Sequence, residues 1–172
     1  LDLLNAIRDG NSKLVDFNKL NERYFPDFEP NGEAFVHLCS HNKMTDSINQ
    51  KKINELKTPS FFYNASVFGD FKENMFPNDE TLELKVGAQV MFIRNDTSGD
   101  RKYYNGKLAE ISRLTEDKVF AILDGSNEEL EIKKEVWEQK KYTLGEDKQI
   151  KEEVIGSFEQ LPIRLAWAVT IH

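Results

Sequence analysis

Residues 161–172, Leu-Pro-Ile-Arg-Leu-Ala-Trp-Ala-Val-Thr-Ile-His, set Ile163, Leu165, Trp167, Val169 and Ile171 in alternation with Arg164, two alanines, Thr170 and His172. Alternation with a period of two is the signature of a buried strand. A chain end is more often a frayed polar tail, so this ending predicts a sequence cut from a longer protein. A second apolar run, residues 34–39, is interrupted only by His37 and reads as a strand covered on both faces in a parallel sheet.

Between and around these runs the texture changes twice. Leu3, Leu4 and Ile7, then Leu14, Phe17 and Leu20, recur at helical spacing around Asp9-Gly10-Asn11, which predicts two short helices joined by a turn and ended by Pro26 and Pro30. Met44, Ile48, Ile53 and Leu56 stripe a further helix, with Asn42 suited to its N-cap. From Phe61 onward come short β-like runs at 61–68, 82–86, 89–94, 107–114, 119–123 and 129–132, separated by Ser98-Gly99-Asp100, Asn105-Gly106 and Asp124-Gly125-Ser126-Asn127. Such a series suggests a small barrel, after which the chain returns through Val154-Ile155-Gly156 to the terminal strand. Half of a parallel α/β unit, a barrel and then another apolar strand is the order expected of an all-β piece inserted into an α/β domain.

The chain of 172 residues, 39% of them hydrophobic, can bury one core with at most a small satellite. Its net charge of -7 argues against a stand-alone nucleic-acid binder, because phosphate neutralisation needs a basic surface. Only two stretches are mildly basic: 94–113, with five Lys and Arg against three Asp and Glu, and 41–57, with four against two. The single cysteine, Cys39, excludes an internal disulfide, no apolar run approaches the roughly 20 residues of a membrane span, and the first residues form no signal peptide. These features predict a reducing, cytoplasmic setting with no membrane partner.

No Gly-x-x-x-x-Gly-Lys-Ser/Thr loop, Cys-x-x-Cys pair, His-Glu-x-x-His or Gly-x-Ser-x-Gly elbow occurs, so no catalytic residue stands out. His37, Cys39 and His41 could share a strand face as metal ligands, but a fourth ligand is missing and two of them lie in a core-like run, so no metal site is expected. Ser40-His41-Asn42-Lys43 sits at a strand-to-helix junction, where free N–H groups can take a phosphate; equally, Asn42 can simply cap the helix. Tyr103 and Tyr104 beside Arg101 and Lys102 read either as base-stacking residues or as ordinary hairpin residues. Trp137 reads as barrel core or rim, and Lys133, Lys134, Lys140 and Lys141 among Glu135 and Glu138 as a solvated face.

Three of these stretches, in this order, resemble the C-terminal motor half of superfamily 1B DNA helicases of the PIF/RecD type. Residues 35–43, Phe-Val-His-Leu-Cys-Ser-His-Asn-Lys, with Asp46 and Ile48-Asn49, look like motif IV of that family. Gly87-Ala88-Gln89-Val90-Met91, with Arg94-Asn95-Asp96 and Asn105-Gly106, looks like the segment leading into its SH3-like insertion. Residues 161–172 look like the front of motif V, truncated before its Lys-Ser-Gln-Gly.

The resemblance implies a partial RecA-like parallel α/β domain, residues 1–85 and 155–172, interrupted by a small SH3-like barrel at 86–154. It implies a 5′–3′ motor on single-stranded DNA in which two RecA-like domains close around ATP and Mg²⁺. In such a motor His41, Asn42, Lys43, Thr170 and His172 would touch the DNA backbone, and Arg94, Asn95 and Asn105 would sit where the domain meets its insertion. The P-loop, the Mg²⁺-binding acid and the arginine finger are absent from this sequence. ATP and Mg²⁺ are therefore expected in the parent protein, with none bound to this piece, which would grip DNA weakly, lack ATPase activity alone and pair with the first RecA-like domain of the same parent chain. A reading from a different class is a non-catalytic SH3-like module that binds a protein or peptide, favoured by the acidic balance.

Overall fold

The computed structural model describes residues 2–11, 13, 15–28, 35–144 and 149–170, and the chain divides into two compact units, Leu1–Glu33 and Ala34–His172. In the first, α1 (Asp2–Arg8) carries Asp2 in its first turn and Arg8 in its last, complementing the helix dipole. It stops at Gly10, whose φ of 68° lets Asn11 N–H reach Ala6 O at 2.9 Å and Gly10 N–H reach Ile7 O at 3.1 Å, a Schellman closure. α2 (Phe17–Asn21) starts at Asp16, whose carboxylate accepts the N–H groups of Asn18 and Lys19, both at 3.1 Å. The two short helices and their turn are those expected.

In the second unit β1 (His37–Cys39) leads into α3 (Asn42–Glu55). There follow β2 (Phe61–Asn64), β3 (Ser66–Gly69), a 3-10 turn at Glu73–Met75, β4 (Thr81–Leu84), β5 (Gln89–Phe92), β6 (Leu108–Leu114), β7 (Val119–Leu123) and β8 (Glu129–Ile132). The last strands are β9 (Glu135–Leu144), β10 (Ile150–Gln160), β11 (Ile163–Leu165) and β12 (Ala168–Thr170). They form four sheets: a parallel β1-β12 pair, a β2-β4 pair, β3-β10-β9, and β11-β5-β6-β7-β8. The architecture is mixed, with many strands and few helices, and no helix among the described residues is long and apolar enough to cross a membrane.

Several expectations change. No closed barrel is seen among the described residues: β8 pairs with β7 and β11 with β5, so the five-stranded sheet stays open, because the chain after β8 departs into the separate sheet of β9 and β10. The run 61–68 splits at Ala65 into β2 and β3, which pair with different partners. The terminal segment also splits: β11 pairs with β5 and β12 with β1, and the bend between them moves the buried positions from Leu165 and Trp167 to Ala166 and Ala168, both fully buried. In β1 only Cys39 is buried and Leu38 remains 68% exposed, since α3 covers a single face of the parallel pair.

The main core lies against the five-stranded sheet and includes Leu84, Val90, Phe92, Ile111 and Ile163, each with no exposed surface. Two buried amides join the sheets at its edge. Gln160 Nε2 donates to the carbonyls of Tyr63 (3.0 Å), Glu80 (3.2 Å) and Asp79 (3.3 Å), while its Oε1 accepts Leu161 N–H at 2.9 Å. Asn78 Nδ2 donates to Ile163 O (2.8 Å) and Leu161 O (3.0 Å), straddling Pro162.

β9 and most of β10 are absent from the strands expected from sequence, because their Lys and Glu residues read as a solvated face. They pair over ten register positions, from Ile150↔Leu144 to Gln160↔Glu135. β3 joins only the stretch from Gly156 to Glu159. There a small aromatic cluster of Phe71, Phe76, Trp137 and Phe158 forms a second apolar centre, with Phe76 and Phe158 rings 4.6 Å apart. A bulge between Val154 and Gly156 frees Ile155 O to accept Asp70 N–H at 2.8 Å. The crossing needs two glycines: a Cβ on Gly69, at φ 63°, would collide with Ile155 O, and one on Gly156 would stand 2.7 Å from the Asp70 carbonyl carbon.

Candidate nucleic-acid interface

The parallel register of β1 and β12, His37↔Ala168 to Cys39↔Thr170, brings the start of α3 beside the end of the chain. His41 is the N-cap residue of α3 without a side-chain cap bond; its ring Nδ1 lies 2.8 Å from Ser40 Oγ. Asn42, expected as the cap, is instead the first helical residue, because its side chain is engaged elsewhere: Thr170 Oγ1 donates to Asn42 Oδ1 at 2.7 Å. The two residues are thus brought together across 128 positions of sequence, and exposed Lys43 follows directly on the helix.

Two helical turns further along, Asn49 locks the same strand. Its Oδ1 accepts Ala168 N–H at 2.9 Å and its Nδ2 donates to Ala168 O at 3.0 Å and Leu165 O at 3.4 Å. The side chain pairs with Ala168 as a neighbouring strand would. The sequence placed Asn49 in the motif IV stretch without a role, although it lies seven residues after Asn42 and therefore on the same helix face, as Ala168 and Thr170 share one strand face. Gln89 completes the brace, donating from Nε2 to Phe35 O and Ala166 O, both at 2.7 Å.

A cleft of about 770 Å³ opens beside this junction, lined by Asn42, Thr45, Asn49 and Thr170 together with Phe62, Glu83 and Arg164. Its charge is mixed: Asp46, Asp79 and Glu83 face it with Arg164, which donates from Nη2 to Pro77 O at 3.2 Å. The cleft is therefore lined by polar side chains and charges of both signs rather than by a cationic wall.

The remaining sequence candidates lie elsewhere. Arg94 is taken up at the base of the β9–β10 hairpin, where its Nη1 donates to Val136 O at 2.6 Å, lies 3.7 Å from Glu135, and its guanidinium stands 5.2 Å from the Trp137 ring centre. Asn95 and Asn105 hold each other across the β5–β6 loop, with Asn105 N–H donating to Asn95 Oδ1 at 2.8 Å. His172 lies outside the described residues. His37 packs edge-on against Phe35, ring centres 4.9 Å apart, and among the described residues no three His, Cys, Asp or Glu side chains are grouped to hold a metal ion.

Within that loop, Asp96 accepts the N–H groups of Ser98 (2.8 Å) and Lys102 (2.7 Å). Desolvation works to raise its pKa, but the bonds from Ser98 and Lys102 and the Lys102 charge outweigh it and hold the carboxyl below the usual carboxylate value. Tyr103 stacks on Phe92 at 3.9 Å; burial, then the charges of Glu135 and Asp96, push its phenol up to about 12, so it stays protonated.

No protein-family model matches the chain. It is 29% identical to the ATP-dependent DNA helicase Pif1 of Campylobacter jejuni over 98% of its own length and 40% of that protein. The crystal structure of Bacteroides sp. Pif1 in complex with ADP-AlF4 superimposes with a TM-score of 0.85 at 31% identity, over 99% of this chain and 39% of that one. Bacteroides Pif1 bound to ssDNA gives 0.73 at 30% identity, again over 99% and 39%. The chain thus spans about two fifths of the length of these relatives. Likeness in both sequence and fold along its whole length supports reading it as part of a Pif1-type helicase.

Proposed function

We propose that this chain is the strand-gripping part of an ATP-dependent 5′–3′ DNA helicase. In this reading residues 1–85 and 155–172 belong to the second RecA-like domain and 86–154 to an SH3-like insertion. His41, Asn42, Lys43 and Thr170 contact the phosphodiester backbone of single-stranded DNA, and His172 extends the same row. The observation that carries the reading is the bond between Asn42 and Thr170 at the mouth of a cleft, in a chain similar throughout to a Pif1 described as bound to ssDNA. Such contacts position a strand without reading its sequence.

The residues of the cleft do not fit ATP. Three carboxylates face it, its arginine is bonded to a backbone carbonyl, and the sequence has no P-loop. ATP and Mg²⁺ are therefore assigned to a complete Pif1-type motor, with the first RecA-like domain as the partner of this part. The chain's own contribution is mechanical. Asn49 and Asn42 fasten β12 to α3 at Ala168 and Thr170, so a displacement of the helix carries the DNA-facing end of the strand with it.

Binding of a fluorescein-labelled oligo(dT) at low salt tests the assignment. The double substitution Asn42→Ala with Lys43→Ala is expected to weaken binding roughly tenfold, from the loss of one amide contact and one charge. Binding equal to that of the unsubstituted chain would overturn the reading and leave a protein-binding module, which the net charge of -7 favours.

A further inference from the structure

We propose that the loop between β5 and β6 is a second contact for single-stranded nucleic acid, with Tyr104 as a base-stacking side chain and Arg101, Lys102 and Lys107 as its phosphate partners. The two tyrosines of this loop have opposite fates. Tyr103 turns inward onto Phe92, ring centres 3.9 Å apart, whereas Tyr104 is 60% exposed with Lys107 Nζ 6.0 Å from its ring centre. The loop that presents it is braced before any ligand arrives. Asp96 holds Ser98 and Lys102, Asn95 holds Asn105, and Asp96 N–H donates to Tyr103 O at 3.1 Å. Pre-formed presentation lowers the ordering cost of binding.

Charge supports the same ligand. In a chain of net charge -7 this stretch is one of two with a local basic excess. Asp96 is consumed within the loop; Lys102 lies 3.3 Å from Asp100 in an exposed pair weak enough to yield to a phosphate, and Lys107 Nζ, which donates to Asp124 O at 2.6 Å, keeps further N–H groups for one. Arg101 is the one described residue other than glycine with a positive φ, 48°, and has no charged partner among the described residues. A non-glycine residue held in that region is a reason to look for a role. A protein partner would need a wide apolar surface, yet within residues 93–107 Tyr104 is the one exposed large hydrophobic side chain among the described residues. A nucleobase needs a single ring face and nearby cations for its phosphates, which is what the loop supplies.

The site is independent of the α3–β12 junction, and the test keeps the two apart. Affinity of the full chain for labelled oligo(dT) is measured for Tyr104→Ala and Tyr104→Phe, each with and without Asn42→Ala and Lys43→Ala. Tyr104→Ala is expected to weaken binding roughly fivefold to tenfold in both backgrounds, and Tyr104→Phe less than about twofold, since the ring is retained. Arg101→Gln with Lys102→Gln is expected to flatten the salt dependence by about 1.4, two phosphates' worth for a single strand. Unchanged affinity in Tyr104→Ala, or an equal loss in Tyr104→Phe, would overturn the proposal. Photocross-linking of a 5-iodouracil oligonucleotide to the unsubstituted chain needs no variant: an adduct on Tyr104 supports the proposal, and adducts confined to other residues overturn it.

Discussion

Near Gln160 the β9–β10 hairpin is the middle and edge of a three-stranded sheet packed over Phe71, Phe76 and Phe158, whereas beyond the bulge at Ile155 the same two strands continue with only each other as partners. Opposed residues share a face, so Val154, Tyr142, Leu144 and Ile150 line one side of this far stretch and Lys141, Thr143, Lys151 and Glu153 the other. Tyr142 is 63% exposed, and Leu144 and Ile150 are each 73% exposed. The near stretch is held by packing and the far one by its ladder and by surface ion pairs, such as that of Lys140 with Glu152, which add little. Strand pairing thus continues well past the point where a core supports it.

Breaking the packed stretch should have the largest effect. Phe158 has no exposed surface and touches three other rings, so Phe158→Ala is expected to cost about 3–5 kcal/mol, read by urea unfolding. A loss under about 1 kcal/mol would mean that the aromatic cluster does not carry the sheet. An intermediate effect is expected at the joint: Arg94→Met removes the bond to Val136 O and the contact with Trp137, about 1–2 kcal/mol for a partly exposed group. No change would show the hairpin base to be independent of the β5–β6 loop. The smallest effect belongs to the far stretch, where Leu144→Ser with Ile150→Ser should alter stability by less than about 0.5 kcal/mol. A larger loss would reveal packing on that face and erase the contrast between the two halves.

The same contrast governs what could be read from the sequence. β7 and β8 coincide with the expected runs because Val119–Leu123 is a continuous apolar run and Glu129–Ile132 alternates Glu with Leu and Ile. β9 hides because Lys140, Lys141 and Glu138 suppress the alternation, although Trp137 marks its one anchored turn. At the candidate interface, Asn42 was legible as a cap or phosphate-binding residue at a strand-to-helix junction and Thr170 through the resemblance to motif V, but their bond was not, since it joins residues 128 apart. Asn49 and Arg94 illustrate the limit most directly. Each is a polar side chain whose partners are distant backbone carbonyls, and a carbonyl leaves no trace in residue identity. The expected barrel failed for a related reason, because closure depends on which edges pair and strand runs carry no record of that.

Beyond the bulge, the five register pairs from Val154↔Lys140 to Ile150↔Leu144, at about 3.4 Å each, make an arm of roughly 17 Å. An arm fixed at one end is a lever. β10 continues through the bulge at Ile155 to Gln160, the residue whose amide ties together the backbones at Tyr63, Asp79, Glu80 and Leu161. Whatever pushes on the tip therefore delivers its torque to the joint between sheets, one residue before the segment that leads to Thr170.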